Sequence, residues 1–181
     1  LQLPALVCVL LSVVVCTALG IVIEGLAYKP LRQAGSLAVL ITAIGVSYFL
    51  QNAAQLIWGP AEIAFKSVVT AKPLVLFGGA LSISMEVVVT MIVAVIIMVG
   101  LTLFINKTRM GKAMRAVSED RAAAQLMGIN VNQTISTTFA IGSALAAVAG
   151  VLLCSSVATL QPTTGSMPGI RAFTAAVFGG I

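Results

Sequence analysis

The largest group of side chains that could do chemistry lies in one polar segment, residues 107–130, between two long apolar stretches. The chain has ten basic and five acidic residues, and seven of these fifteen belong to this segment. They are Lys107, Arg109, Lys112, Arg115, Glu119, Asp120 and Arg121. Because the chain contains no histidine, it lacks the commonest general base and metal ligand. The pattern favours contact with something in water, and no catalytic residue is predicted.

The cysteines do not indicate metal or disulfide chemistry. Cys8, Cys16 and Cys154 lie inside apolar stretches and show no CxxC spacing, which is typical of small membrane-embedded side chains. The chain also lacks a phosphate-binding loop of the GxxxxGK[ST] type. We therefore predict no metal, no cofactor and no enzymatic activity in the chain itself.

The composition indicates that a membrane surrounds the apolar stretches that position this polar segment. Charged residues make up 8% of the chain, against about 25% in soluble proteins, and the mean hydropathy is +1.13. A spanning helix needs about 20 apolar residues. Four stretches are long enough: residues 3–26, 36–58, 85–105 and 134–158. The sequence predicts an all-α polytopic membrane protein with four transmembrane helices.

The connections between these stretches differ in character. Residues 59–84 contain two short apolar runs around Gly78-Gly79, which predicts a short β-hairpin because both central residues of a type I′ turn need positive φ. Residues 106–133 hold the polar segment. A Pro- and Gly-rich loop follows the fourth span, and residues 170–181 are expected to begin a partial re-entrant or fifth segment.

The basic residues predict the orientation. With four alternating crossings, seven lie on one side and three on the other: Lys29, Arg32, Lys107, Arg109, Lys112, Arg115 and Arg121 against Lys66, Lys72 and Arg171. The positive-inside rule then places residues 106–133 in the cytoplasm and the loop 59–84 outside. Such short basic connections are typical of proteins in a lipid bilayer, and no nucleic-acid partner is predicted.

The polar segment is predicted to form two short helices. Met110, Met114 and Val117 recur at i, i+4 and i+7 and give the first helix an apolar stripe. Ser118 is predicted to N-cap the second helix, with Glu119 and Asp120 in its first turn. Three consecutive alanines would propagate that helix and leave a smooth surface: Ala122, Ala123 and Ala124.

The second helix is predicted to end at Gly128 in a left-handed C-cap. Asn130 or Asn132 would then cap the following span. A short capped helix with small side chains suits insertion into a groove on a cytoplasmic partner. A basic loop that only enforces topology explains the same residues, so the spacing leaves both interpretations open.

The residues resemble a known family. The pattern from Glu119 through Ala122-Ala123-Ala124 to Gly128 is similar to the cytoplasmic signature loop of ABC-importer permeases for branched-chain amino acids. Three further segments match in order, so that the resemblance covers almost the whole chain: residues 27–52, 139–150 and 171–180. Because permeases of this family are longer, residues 1–181 are expected to be a fragment of one transmembrane permease domain.

The resemblance implies a multi-pass subunit of an importer in the bacterial inner membrane. Its implied partners are cytoplasmic ATPase subunits, a second permease subunit, identical or different, and an external substrate-binding protein. The implied coupling residues are Ser118, Glu119, Asp120, Ala122, Ala123, Ala124 and Gly128. The expected function is inward, ATP-driven transport of branched-chain or other amino acids by alternating access. The alternative is a non-transporting membrane anchor that recruits a cytoplasmic protein through residues 106–133.

The fourth span carries a face of small residues. Gly142, Ala146 and Gly150 recur at i, i+4 and i+8, a pattern that favours close packing against another helix. Lining of a pore is the alternative.

Polar residues within spans indicate functional positions because they are costly in lipid. The second span holds four candidates for a translocation path: Thr42, Ser47, Gln51 and Asn52. Gln51 and Asn52 lie near its outer end, where contact with headgroup water is favoured over contact with substrate. Glu24 and Glu86 flank spans and are expected at the membrane interface. The sequence therefore predicts no carboxylate buried within a span, which argues against an ion-coupled carrier.

Overall fold

The computed structural model describes residues 5–31, 36–64, 74–76, 81–157 and 159–179. Its helices are α1 (Ala5–Ile23), which continues as a π-helical turn (Glu24–Tyr28), α2 (Ser36–Trp58), α3 (Met85–Lys107), α4 (Arg109–Glu119), α5 (Arg121–Leu126), α6 (Val131–Ser156) and α7 (Ser166–Phe178). Its strands are β1 (Ile63–Ala64), β2 (Leu74–Leu76), β3 (Leu81–Ile83) and β4 (Thr159–Leu160).

Among the described residues, four helices are long and apolar enough to cross a membrane. They cover Val7–Tyr28, Leu37–Trp58, Met85–Lys107 and Val131–Ser156. Large apolar side chains along them are exposed, as expected where lipid replaces water as the solvent. Helix α7, with 13 residues, is about 20 Å long, too short for a hydrocarbon core of about 30 Å. The predicted all-α polytopic fold, with four spans and a partial fifth segment, is confirmed.

The predicted hairpin is confirmed by its strands. β2 pairs antiparallel with β3, so that Leu74 lies opposite Ile83 and Leu76 opposite Leu81. Gly78-Gly79, which we predicted to form the turn, lies outside the described residues.

A second strand pair was not predicted. β1 pairs antiparallel with β4, with Ile63 opposite Leu160, and the Gln161 side-chain amide donates a hydrogen bond to the Glu62 carboxylate. Strands of two residues are too short to show an alternating pattern. This pair joins the connection after α2 to the connection after α6, so both lie at the same end of the molecule.

Helices α1 and α6 form the main interhelical seam in the described part of the chain. A Cβ atom added to Gly20 would lie 1.8 Å from the Ser143 Oγ atom, so only glycine allows this approach. Ala147 is buried one turn further along α6. At the other end, the Tyr28 and Phe139 rings lie with their centroids 5.0 Å apart. The seam therefore follows one stripe of α6.

This stripe is not the face that the sequence indicated. A Cβ atom added to Gly142 or Gly150 would meet nothing within 4 Å, and Ala146 is exposed. Among the described residues, α6 makes its closest approach to α1 through the neighbouring stripe at Ser143 and Ala147, and Ala146 and Gly150 line the groove beside it. That these residues pack against a further helix or a second subunit stays a prediction.

Candidate functional site

The polar segment starts where α4 folds back on the end of α3. The Thr108 hydroxyl accepts a hydrogen bond from the Gly111 amide at 3.0 Å and so caps α4. A Cβ atom on Gly111 would lie 2.4 Å from the Cα and carbonyl oxygen of Ile105. Met110 and Met114 are half-buried and Val117 is buried, which confirms the predicted apolar stripe.

Asp120, not Ser118, caps α5. One Asp120 carboxylate oxygen accepts hydrogen bonds from the amides of Ala122 at 2.8 Å and Ala123 at 3.1 Å. The Ser118 hydroxyl donates to the Arg115 carbonyl at 2.8 Å and stays within the last turn of α4. The prediction of Ser118 as the N-cap is therefore wrong. The chain leaves helical geometry only at Asp120, where φ is −149°.

The end of α5 matches its prediction. Gly128 has a φ of +83°, and its amide donates to the Gln125 carbonyl at 3.0 Å. The next amide, of Ile129, donates to the Ala124 carbonyl at 3.1 Å. These two bonds form a Schellman motif, which satisfies the last carbonyls of the helix.

Helix α6 begins directly after this turn. The Asn130 side-chain oxygen accepts from the Gln133 amide at 3.2 Å, so Asn130 is the cap of α6 and Asn132 is not. The joint between α5 and α6 thus consists of four residues, 127–130.

Helix α5 presents an apolar surface that sequence reasoning missed. Ala124 is 4% exposed and anchors the helix, whereas Leu126 is 89% and Met127 82% exposed. Ala122 and Ala123 are also exposed. Large apolar side chains beside a membrane-spanning region are normally covered by lipid or by a partner. Leu126 and Met127, however, lie in a polar segment. The signal available in the sequence was the position of Leu126 and Met127 directly before Gly128, the glycine that ends the helix.

Charge around α5 is mainly basic and solvent-facing. The exposed charged residues of this region are Lys107, Arg109, Lys112, Arg115, Glu119, Asp120 and Arg121. The Arg115 Nε atom lies 4.0 Å from a Glu119 carboxylate oxygen, with side chains 71% and 76% exposed. An ion pair this exposed stabilises little. The exposed Arg115 and Glu119 therefore remain accessible to groups on another surface.

Two of the four predicted path residues share a cleft. Ser47 and Gln51 line a space of about 950 Å³ between α2 and the start of α7, together with Thr163 and Ser166. The Gln51 amide donates to the Ser47 hydroxyl at 3.3 Å.

The other two path residues bond to their own helix. The Thr42 hydroxyl donates to the Ala38 carbonyl, and the Asn52 amide donates to the Tyr48 carbonyl. Neither residue lines the cleft.

Glu24 departs most from expectation. It was predicted at the membrane interface but is 3% exposed, in the π-helical turn of a spanning helix. The Ser136 hydroxyl of α6 donates to its carboxylate at 2.8 Å. The expectation that no span buries a carboxylate is therefore wrong at Glu24, because α6 covers this end of α1. Its place at the membrane interface stays a prediction. Glu86 lies half-buried in the first turn of α3.

Within the described ranges, no group of three or more His, Cys, Asp or Glu side chains is placed to hold a metal ion.

Comparison with known proteins gives a consistent picture. The family model described as "Branched-chain amino acid transport system / permease component" matches residues 1–181. The high-affinity branched-chain amino acid transport system permease protein BraD of Pseudomonas aeruginosa is 44% identical over 174 residues, which cover 94% of this chain and 56% of the relative. LivH of Escherichia coli K12, which carries the same description, is 44% identical over 172 residues, with the same shares.

A more distant match is the probable branched-chain amino acid transport permease protein LivH of Methanocaldococcus jannaschii. It is 38% identical over 93 residues, 51% of this chain and 29% of the relative. The chain thus spans 56% of the length of the two bacterial relatives. No solved structure gives a significant match.

Proposed function

The chain belongs to the family of permease components of branched-chain amino acid transport systems, and from this premise we propose that it is the transmembrane subunit of an ATP-driven importer. It moves branched-chain or related amino acids inward by alternating access. The chain is a multi-pass membrane protein, which we assign to the bacterial inner membrane. Its relatives are named as permeases and not as enzymes, and in our proposal a separate subunit hydrolyses ATP.

Helix α5 is the docking element for that ATPase subunit. The observation that carries this proposal is the exposure of Leu126 and Met127, at 89% and 82%, in an otherwise polar segment. Buried apolar anchors surrounded by polar contacts are the usual source of affinity in a protein interface. Ala122 and Ala123 let the partner approach closely, and the basic residues around α5 favour acidic groups at the rim.

Motion of the ATPase reaches the membrane through the ends of α5. The Asp120 cap and the Gly128 turn hold the helix as one unit, and a joint of four residues connects it to α6. A displaced α5 therefore moves the start of α6 directly. In this proposal Ser118 and Glu119 belong to the preceding helix and flank the interface.

The cleft between α2 and α7 serves the substrate. Ser47 and Gln51 join Thr163 and Ser166 as polar groups in a mainly apolar lining, which suits a small amphiphilic solute. We propose that this cleft forms part of the translocation path, which a second permease subunit completes. An external binding protein would deliver substrate at the end that carries β1 and β4.

The docking role can be tested with Leu126→Gln and Met127→Gln in the complete permease. Glutamine keeps helix propensity but removes the apolar anchors, so we expect the affinity for the ATPase subunit to fall at least tenfold, roughly the effect of losing one interface hot spot. Co-purification and amino-acid uptake into vesicles measure the result.

Ile63→Gln is the matched control, since Ile63 is an exposed apolar residue at the opposite end. It should leave ATPase association unchanged. Normal association and uptake by the Leu126 and Met127 variants would contradict the docking role. Recruitment of a cytoplasmic protein without any uptake by the unaltered complex would favour the membrane-anchor alternative.

A further inference from the structure

We propose that Glu24 is a positioning residue of transport: through its hydrogen bond with Ser136 it makes α1 follow the movement of α6. This inference rests on the proposed function and goes beyond it, because it identifies how motion that enters at α5 spreads to a second spanning helix.

The burial of Glu24 is the first observation. Glu24 is 3% exposed although it lies within a candidate membrane span. Ionisable side chains within spanning segments are costly, and those that occur are usually functional. The Ser136 hydroxyl supplies a donor to the carboxylate at 2.8 Å, so the cost is offset by a contact between two different helices.

The backbone around Glu24 is the second observation. The Glu24 carbonyl accepts a hydrogen bond from the Lys29 amide at 2.8 Å, the i to i+5 pattern of a π-helical turn. Such turns are rare, and they occur frequently at functional sites. The last residue of the turn, Tyr28, places its ring 5.0 Å from that of Phe139. The irregular turn of α1 therefore faces α6 with two side chains.

The position of Ser136 along the chain is the third observation. Ser136 follows the Asn130 cap of α6 by six residues, less than two helical turns. A shift of α5 passes through the joint at residues 127–130 and reaches Ser136 without leaving the same rigid helix. Further along the seam, Gly20 lies against Ser143. The Glu24–Ser136 bond thus fastens α1 to α6 at the end where the motion arrives.

The test uses the complete permease assembled with its ATPase subunits in lipid vesicles, with amino-acid uptake per ATP hydrolysed as the readout. We expect Ser136→Ala to lower this ratio about tenfold, the upper end of the net contribution of one hydrogen bond, and Glu24→Ala to lower it at least as much, while ATP hydrolysis continues. Because Glu24→Ala already removes the bond to Ser136, the double variant should be no worse than Glu24→Ala alone.

Two further variants separate positioning from a merely structural role. Glu24→Gln keeps an acceptor oxygen and should keep the ratio near that of the unaltered protein. Ser155→Ala is the matched control, since Ser155 is a buried serine of α6 whose hydroxyl donates to the Val151 carbonyl of the same helix. It should leave the ratio unchanged.

An unchanged ratio in Ser136→Ala would overturn the proposal, including the case in which uptake and ATP hydrolysis fall together because less complex assembles. A loss in Glu24→Gln as large as in Glu24→Ala would also overturn it, because the charge and not the hydrogen bond would then matter. Absence of ATP-driven uptake in the unaltered complex would instead refute the proposed function.

Discussion

Asp120 and Gly128 determine where α5 begins and ends. The Asp120 carboxylate satisfies two amides at the start of the helix, and it also places negative charge at the positive end of the helix dipole. Gly128 adopts a φ of +83°, which glycine reaches without the steric cost that a Cβ atom brings. A helix of six residues is too short to be stable on its own propensity. Its shape therefore depends on these two residues and on the buried Ala124.

Replacing Asp120 with alanine should loosen the start of α5. Loss of an N-cap costs about 1 kcal/mol, so we expect weaker ATPase association and lower uptake with normal membrane insertion. Ser118→Ala is the control, since its hydroxyl bonds within α4 and should have little effect. Co-purification measures how strongly each variant associates with the ATPase subunit. Weaker association of the Ser118 variant than of the Asp120 variant would contradict the assignment of Asp120 as the cap.

At the scale of single residues, the sequence predicts helix caps more reliably than it predicts which side chains are buried. Gly128 was located correctly, and Asn130 was one of two candidates for the cap of α6, because capping depends on residues within one turn. Ser118 and Asp120 compete for the same role, and only the backbone geometry at the end of α4 decides between them. Glu24 could not be predicted, because its partner Ser136 is 112 residues away in the chain. Burial of this kind is a property of the packed seam.

At the scale of elements, the positions of the spanning helices can be predicted directly from the length and hydropathy of the apolar stretches. In lipid, each such stretch must satisfy its own backbone groups. How helices meet is less predictable. The sequence predicts packing at the face of Gly142, Ala146 and Gly150, and the closest approach to α1 among the described residues lies on the neighbouring stripe, at Ser143. The junction of α3 and α4 was likewise unpredicted, because nothing in the pattern shows that Gly111 must lie against the Ile105 backbone.

We expect Gly111→Ala to displace α4 from the end of α3. A Cβ atom there would lie 2.4 Å from backbone atoms of Ile105, which cannot rotate away. Overpacking of this kind typically costs roughly 1–3 kcal/mol. Alanine is otherwise favoured over glycine in a helix by about 1 kcal/mol. A net loss of thermal stability in the purified complex would therefore report the clash itself.

Gly100→Ala provides the comparison for that experiment. A Cβ atom on Gly100, in α3, would meet nothing within 4 Å, so this variant should be as stable as the unaltered protein or slightly more so. If both alanine variants were equally stable, α4 would not be held against α3 as described.

The molecule as a whole has two different ends. One holds α4, α5 and the start of α6, with the Glu24–Ser136 contact close by. The other joins the connections after α2 and α6 through β1 and β4. The distribution of basic residues predicts that the first of these ends faces the cytoplasm, because lysine and arginine are retained on the cytoplasmic side during insertion.

Single cysteines at the two ends test this orientation. In a variant of the complete protein without Cys8, Cys16 and Cys154, Ser118→Cys and Ala61→Cys place a thiol at exposed positions of the two ends without altering any charge. A membrane-impermeant maleimide added to intact cells should label Ala61→Cys and leave Ser118→Cys unlabelled, because only the first faces outwards. After permeabilisation in the absence of the ATPase subunit, both should react. Labelling of Ser118→Cys in intact cells would place α5 outside, where no ATPase could reach it, and would contradict both the orientation and the proposed coupling.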